Sequence, residues 1–143
     1  MEQIKLAEIV ARVAHCGQVD KAGKPYIGHP TAVASMVNSE AEKTVALLHD
    51  VVEDTNVTLN CLRVLGFPED IVVAVDAITR RPGELRQDYL NRVAANEIAT
   101  KVKIADLIHN SDLSRISETR PLEQKDYERS WRYFQEIGFL SGN

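Results

Sequence analysis

The chain is expected to fold as an all-α protein, and three observations predict this. Apolar residues recur at helical spacing along most of the 143 residues. Helix-start signals stand before several of these stretches. Nothing alternates with period two for long enough to suggest a sheet.

The elements follow in order. From Glu2 to about His15, Ile4, Ala7, Val10, Ala11 and Ala14 share one helical face, which Leu6 and Val13 widen, so a well-buried helix is expected. Gly17, Gly23, Pro25 and Gly28 make Cys16 to His29 a loop. Pro30 suits the first turn of a second helix running through Met36. Ser39, with Glu42 three residues later, is a capping-box signature for a third helix reaching about Val52. Thr58 can cap a short helix that stops at Gly66. Pro68 opens another, with Ile71, Val72, Val75 and Ile78 inward; its β-branched residues leave a strand open by propensity alone. Arg80-Arg81-Pro82-Gly83 reads as a turn. Leu85 to Ala95 and Ala99 to Asn110 read as helices. Leu122 to Ile137 reads as a last amphipathic helix, with Trp131 and Phe134 expected in the core.

Length and composition narrow the possibilities. The length suits one domain spanning residues 1–143, large enough for its own core. With 44% hydrophobic and 27% charged residues, the composition is that of an ordinary globular protein. No apolar run approaches the roughly 20 residues of a membrane span, and Met1-Glu2-Gln3-Ile4-Lys5 lacks a signal-peptide core. No membrane association and a cytoplasmic location are therefore expected. A net charge of −4 argues against a nucleic-acid partner, yet leaves room for a small phosphorylated ligand. Cys16 and Cys61 show no metal-binding spacing and read as reduced thiols. The oligomeric state leaves no signature.

The chemistry concentrates in His49-Asp50-Val51-Val52-Glu53-Asp54. On a continuous helix, positions i, i+3 and i+4 share a face, so His49, Asp50, Glu53 and Asp54 are expected to project into one cleft. Four residues can form a metal site: His29, His49, Asp50 and Asp106. Asp106 lies in an apolar stretch, where an unpaired buried carboxylate is costly and a cation would compensate it. Two imidazoles and two carboxylates make a mixed donor set that suits Mn²⁺, Fe²⁺ or Zn²⁺.

These residues resemble the spaced His…His-Asp…Asp signature of the HD-domain phosphohydrolase superfamily. Finer motifs are similar to the hydrolase domain of the RelA/SpoT alarmone family, especially its small stand-alone members. They are His15-Cys-Gly-Gln18, Lys21-Ala-Gly-Lys-Pro-Tyr-Ile-Gly-His29-Pro30, Ala46-Leu-Leu-His-Asp-Val-Val-Glu-Asp-Thr55 and Lys103-Ile-Ala-Asp-Leu-Ile-His-Asn110, in order, across about residues 5 to 115. The resemblance implies an HD-domain helical bundle. It implies His29, His49, Asp50 and Asp106 as metal ligands, with Mn²⁺ the usual ion. It implies Glu53 and Asp54 as the pair that orients and deprotonates the attacking water, Asn110 near the nucleotide sugar, and Lys21 on the nucleotide-contacting loop. The implied reaction removes the 3′-diphosphate of ppGpp or pppGpp as pyrophosphate.

One position departs from the family. Asp20 stands where an arginine usually packs on the guanine; a carboxylate cannot stack in that way. Asp20 is left to accept hydrogen bonds from a base edge or to bind Lys21 or Lys24. Alternatives to ppGpp are therefore another phosphorylated nucleotide, such as a nucleoside monophosphate or NADPH, or a non-catalytic nucleotide-binding role. Lys103, Arg80 and Arg81 are either phosphate contacts or solvated charge. His15 reads as a loop anchor, Tyr127 as a ligand contact in some relatives, and Asp112-Leu-Ser-Arg115 as a salt-bridged helix end. His109 can approach the site, although Asn110 is the better match.

Overall fold

A computed structural model describes residues 2–142. Among them are ten helical segments and no strand: α1 (Glu2–Ala14), α2 (Gly28–Ser35), α3 (Glu40–Leu48), α4 (Val51–Asp54), α5 (Leu59–Val64), α6 (Glu69–Ile78), α7 (Arg86–Ala94), α8 (Glu97–Ser111), α9 (Ser114–Ser117) and α10 (Gln124–Leu140). The all-α expectation holds. No helix among the described residues is long and apolar enough to cross a membrane.

The caps read from the sequence are present. The Ser39 side chain accepts from the Glu42 N–H, and Glu42 accepts from the Ser39 N–H, closing the capping box of α3. Thr58 caps α5 through the Cys61 N–H. α6 is a helix despite its β-branched residues. Ile71, Val72, Val75 and Ile78 all bury against the core, and Glu69 and Asp70 suit the positive end of the helix dipole. Tertiary burial outweighs a propensity difference of a few tenths of a kcal/mol per residue.

α8 is the central helix. It packs against α2, α3, α6, α7 and α10, while α1 and α2 pack on α3, and α5 on α6. Val102, Leu107 and Ala99 of α8 join Leu48, Leu62 and Tyr89 in one core.

Three expectations need correction. α3 stops at Leu48 rather than Val52, and α4 starts afresh at Val51. The His49 imidazole explains the break: its Nδ1 donates to the Ala46 carbonyl at 2.5 Å, the group that would otherwise carry the helical ladder into the next turn. Trp131 and Phe134 are exposed, at 63% and 52%. The inward face of α10 carries Asp126, Ser130, Tyr133, Glu136, Ile137 and Leu140, and Trp131 and Phe134 point away from it. Val13 likewise lies on the outer face of α1, where Ala7 and Ala11 make the buried contact.

Candidate metal centre and ligand pocket

Three parts of the fold deliver the His/Asp set. The loop before α2 is drawn into shape by a bridge between Val19 and Pro25 and by the Tyr26 N–H bond to the Gln18 carbonyl, and it leads into His29 in the first turn of α2. His15 anchors the same loop, its Nδ1 lying 3.0 Å from Gln18 Oε1. His49 and Asp50 occupy the α3–α4 break, and Asp106 lies mid-α8. The break, not a continuous helix face, turns these two side chains into the interior.

The four groups converge. His29 Nε2 lies 2.8 Å and His49 Nε2 3.2 Å from Asp106 Oδ1, and His49 Nε2 lies 3.1 Å from Asp50 Oδ2. One donor atom from each residue falls within 4.8 Å of all the others. His29, His49 and Asp106 are buried and Asp50 nearly so.

Each of the four has a further partner, and for all but Asp50 it lies away from the shared atoms; Tyr26 bonds the same Asp50 Oδ2 that faces His49. His29 Nδ1 is 2.7 Å from His109 Nδ1, His49 Nδ1 donates to the Ala46 carbonyl, the Tyr26 hydroxyl donates to Asp50, and Lys103 Nζ donates to Asp106 Oδ2 at 2.8 Å. Asn110 Nδ2 adds a bond to Asp106 Oδ1 at 3.0 Å. Both imidazoles thus turn Nε2 inward. Two Nε2 atoms and two carboxylates, oriented from outside and shielded from water, fit a divalent cation.

The electrostatics agree with this picture. Burial pushes the Asp106 carboxyl up, but the Lys103 ammonium and the bonds from His29 and His49 hold it well below the usual range. Asp50 behaves alike: burial opposes its ionisation, and His49 more than offsets that. Burial disfavours a charged His49, yet Asp50 and Asp106 raise its proton affinity well above normal. The cluster therefore holds anionic carboxylates that call for positive charge.

Glu53 and Asp54 continue from Asp50 along α4 toward solvent, and these three carboxylates also lie within 4.8 Å of one another. Burial, then the Asp50 and Glu53 charges, raise the Asp54 carboxyl above its ordinary value. Glu53 Oε1 accepts the Arg80 backbone N–H at 2.7 Å, which ties α4 to the end of α6.

A cavity of about 330 Å³ opens beside His29, within the range of small-molecule sites. Lys21, Asn110, Arg115, Arg129 and Tyr133 line it. Burial, then the neighbouring Arg129 charge, lower the Lys21 ammonium's proton affinity, with the Asp126 carboxylate opposing them.

Asp20 also lines the cavity, but its carboxylate is engaged. Oδ1 accepts the Ala22 and Lys24 N–H groups at 2.9 and 3.0 Å, and Oδ2 accepts from Arg115 Nη1 at 3.2 Å. Its partners are backbone amides and an α9 guanidinium, not the Lys21 or Lys24 side chains that the sequence offers as the alternative to a base edge. Arg115, read as part of a salt-bridged helix end, lines the cavity and pairs with Asp20. Lys103 is not solvated charge: it is buried beneath Asp106 and is not among the residues that line the cavity. Tyr127 is exposed, and Tyr133 is the α10 tyrosine at the cavity. Tyr26, Arg129 and Tyr133 were missed by the sequence reading. Arg129 and Tyr133 form an i, i+4 pair on α10, a signal hidden by the more hydrophobic Trp131 and Phe134 beside them.

No protein-family model matches the chain. Among curated proteins it is 33% identical over 141 residues to a GTP pyrophosphokinase of Streptomyces coelicolor, covering 90% of this chain and 16% of that protein. It is 37% identical over 84 residues to the bifunctional (p)ppGpp synthase/hydrolase SpoT of Escherichia coli K12, covering 56% of this chain and 12% of that one. The chain thus spans about a sixth or less of these relatives' length. Among solved structures, a metazoan SpoT ortholog described as hydrolysing ppGpp matches with a TM-score of 0.81 and 21% identity, over 99% of this chain and 87% of that one. That likeness establishes the shared fold. Sequence likeness to RelA/SpoT-type proteins and the all-helical fold make this chain an HD-type, RelA/SpoT hydrolase-like domain.

Proposed function

We propose that this protein is a metal-dependent phosphohydrolase that removes pyrophosphate from the 3′ position of guanosine-3′,5′-bis(diphosphate). The observation that carries the reading is the convergence of His29, His49, Asp50 and Asp106 beside a cation-lined cavity of nucleotide-binding size. These four residues would hold the ion, for which we propose Mn²⁺. The chemistry it supplies when bound is Lewis acidity toward water and toward a phosphoryl oxygen.

The chain's own residues divide the remaining work. Lys21, Arg115 and Arg129 attract the nucleotide's phosphates, and Asn110 stands at the cavity wall for the sugar. Asp54 takes the proton from water, a role its raised proton affinity suits. Glu53, tied to the Arg80 N–H, keeps a second oxygen to orient that water. The water oxygen bonds to the phosphorus attached at O3′, the P–O3′ bond breaks and O3′ takes a proton. The products are pyrophosphate and GDP. A cytoplasmic location accords with such a substrate.

The test is product analysis with purified protein, Mn²⁺ and ppGpp, beside a chelated sample and Asp50→Ala. Equimolar pyrophosphate and GDP, lost in both controls, is expected. No release from protein that demonstrably holds Mn²⁺ would overturn the substrate, and turnover of another phosphorylated nucleotide in a panel would name the replacement.

A further inference from the structure

We infer that His109 is a positioning residue of the metal centre: its Nδ1 accepts the Nδ1–H of His29 and thereby fixes the tautomer and ring orientation that aim His29 Nε2 at the ion. The inference rests on the reading of His29 as a ligand.

The proton count leads to this assignment. His29 Nε2 is the atom shared with the cluster, 2.8 Å from Asp106 Oδ1 and 3.7 Å from Asp50 Oδ2. To bind a cation it must present a lone pair, so the ring's one proton sits on Nδ1. A buried N–H needs an acceptor, and the one in reach is His109 Nδ1 at 2.7 Å. His109 Nδ1 must then be unprotonated, and its own proton sits on Nε2.

The packing makes the bond directional. The His29 ring lies among Tyr26, His49 and His109, with centroids at 5.8, 5.2 and 4.9 Å. Of these three, only His109 meets His29 at its outward nitrogen. Tyr26 is turned to Asp50, and His49 turns Nδ1 to the Ala46 carbonyl. Removing His109 would leave the outward edge of the ring with no hydrogen bond to resist a ring flip, which puts Cδ2 where Nδ1 was and Cε1 where Nε2 was. His109 also sits on the helix that supplies Asp106, three residues on, so one helix places a ligand and the orienter of another ligand at a set separation.

The experiment measures Mn²⁺ dissociation constants for wild type, His109→Ala and His109→Asn, beside the unfolding midpoint of each without metal. His109→Ala is expected to weaken Mn²⁺ binding roughly 10- to 100-fold, the usual effect of losing an outer partner of a metal-ligating histidine. Asn Oδ1 can accept the same bond, so His109→Asn should recover most of the affinity, while the metal-free midpoints stay close together. Equal Mn²⁺ affinity in wild type and His109→Ala would overturn the inference. So would equal losses in both variants, because acceptance of a hydrogen bond would then not be what matters. A wild-type protein that binds no Mn²⁺ would instead overturn the ligand reading beneath it, a separately visible result.

Discussion

Lys103→Met is expected to destabilise the metal-free protein strongly and the metal-loaded protein weakly. Lys103 Nζ sits 2.8 Å from Asp106 Oδ2, with both side chains largely out of water. Breaking a buried ion pair on one side ordinarily costs about 3–5 kcal/mol, because it leaves a charge uncompensated. Here Asp106 keeps bonds to His29, His49 and Asn110, so the lower end, about 3 kcal/mol, applies without metal. A bound divalent ion replaces the lost positive charge, so with Mn²⁺ the loss should fall to roughly 1 kcal/mol, mostly packing. Linkage turns the difference into affinity: about 2 kcal/mol corresponds to roughly 30-fold tighter Mn²⁺ binding in the variant. Urea unfolding with chelator and with saturating Mn²⁺ reads both effects. At an m-value of about 2 kcal/mol/M, the midpoint should drop by about 1.5 M without metal and about 0.5 M with it. Equal shifts in the two conditions would refute the argument that Lys103 and the ion compensate the same carboxylate.

Further outcomes follow from the geometry. Asp50→Ala should lose both Mn²⁺ and turnover, whereas Glu53→Gln should keep Mn²⁺ and lose turnover; metal analysis beside rates checks this, and a fully active Gln variant would remove Glu53 from the chemistry. Asp20→Arg should raise KM for ppGpp roughly tenfold, about the loss of one charge-assisted hydrogen bond, since it opens the loop and sets two cations together; an unchanged or better kcat/KM would show that loop closure by Asp20 is dispensable. Arg120 and Arg129 hydrogen bonds, with the Glu123 N–H, hold the Asp126 carboxyl far below the usual range. Its stabilising effect is therefore complete above the ordinary carboxylate value of about 4 and is lost as pH falls through the lower folded-state value. The gap in unfolding midpoint between wild type and Asp126→Asn should narrow with acid, and a gap constant from pH 7 to pH 2 would contradict this.

The helices were legible because their signals are local: a capping box at Ser39, a cap at Thr58 and periodic apolar residues on α6. The His/Asp set was legible because its residue types are few and its motif context is dense. The break after Leu48 was not, since it depends on where one imidazole nitrogen finds a carbonyl. Nor was the exposure of Trp131 and Phe134. Hydrophobicity says that a residue prefers burial, but on α10 the inward line is held by polar anchors. Glu136 takes a bidentate bond from Arg86, and Ser130 bonds the Ser111 carbonyl. The pairing of Asp20 with Arg115 joins residues 95 apart in sequence, which no pattern within a helix reveals.

Placing Asp106, His109 and Asn110 on the helix that packs against five others has a consequence for local opening. A segment with that many neighbours can expose its amides only when most of the core separates, so α8 amides should exchange with solvent at close to the global unfolding rate. His49 and Asp50 lie in the α3–α4 break and His29 in the first turn of α2, which packs mainly on two helices, α3 and α8, so the other three residues of the set have less protection. Partial opening would therefore detach His29, His49 and Asp50 from an Asp106 that stays in place, dismantling the site well before the molecule unfolds.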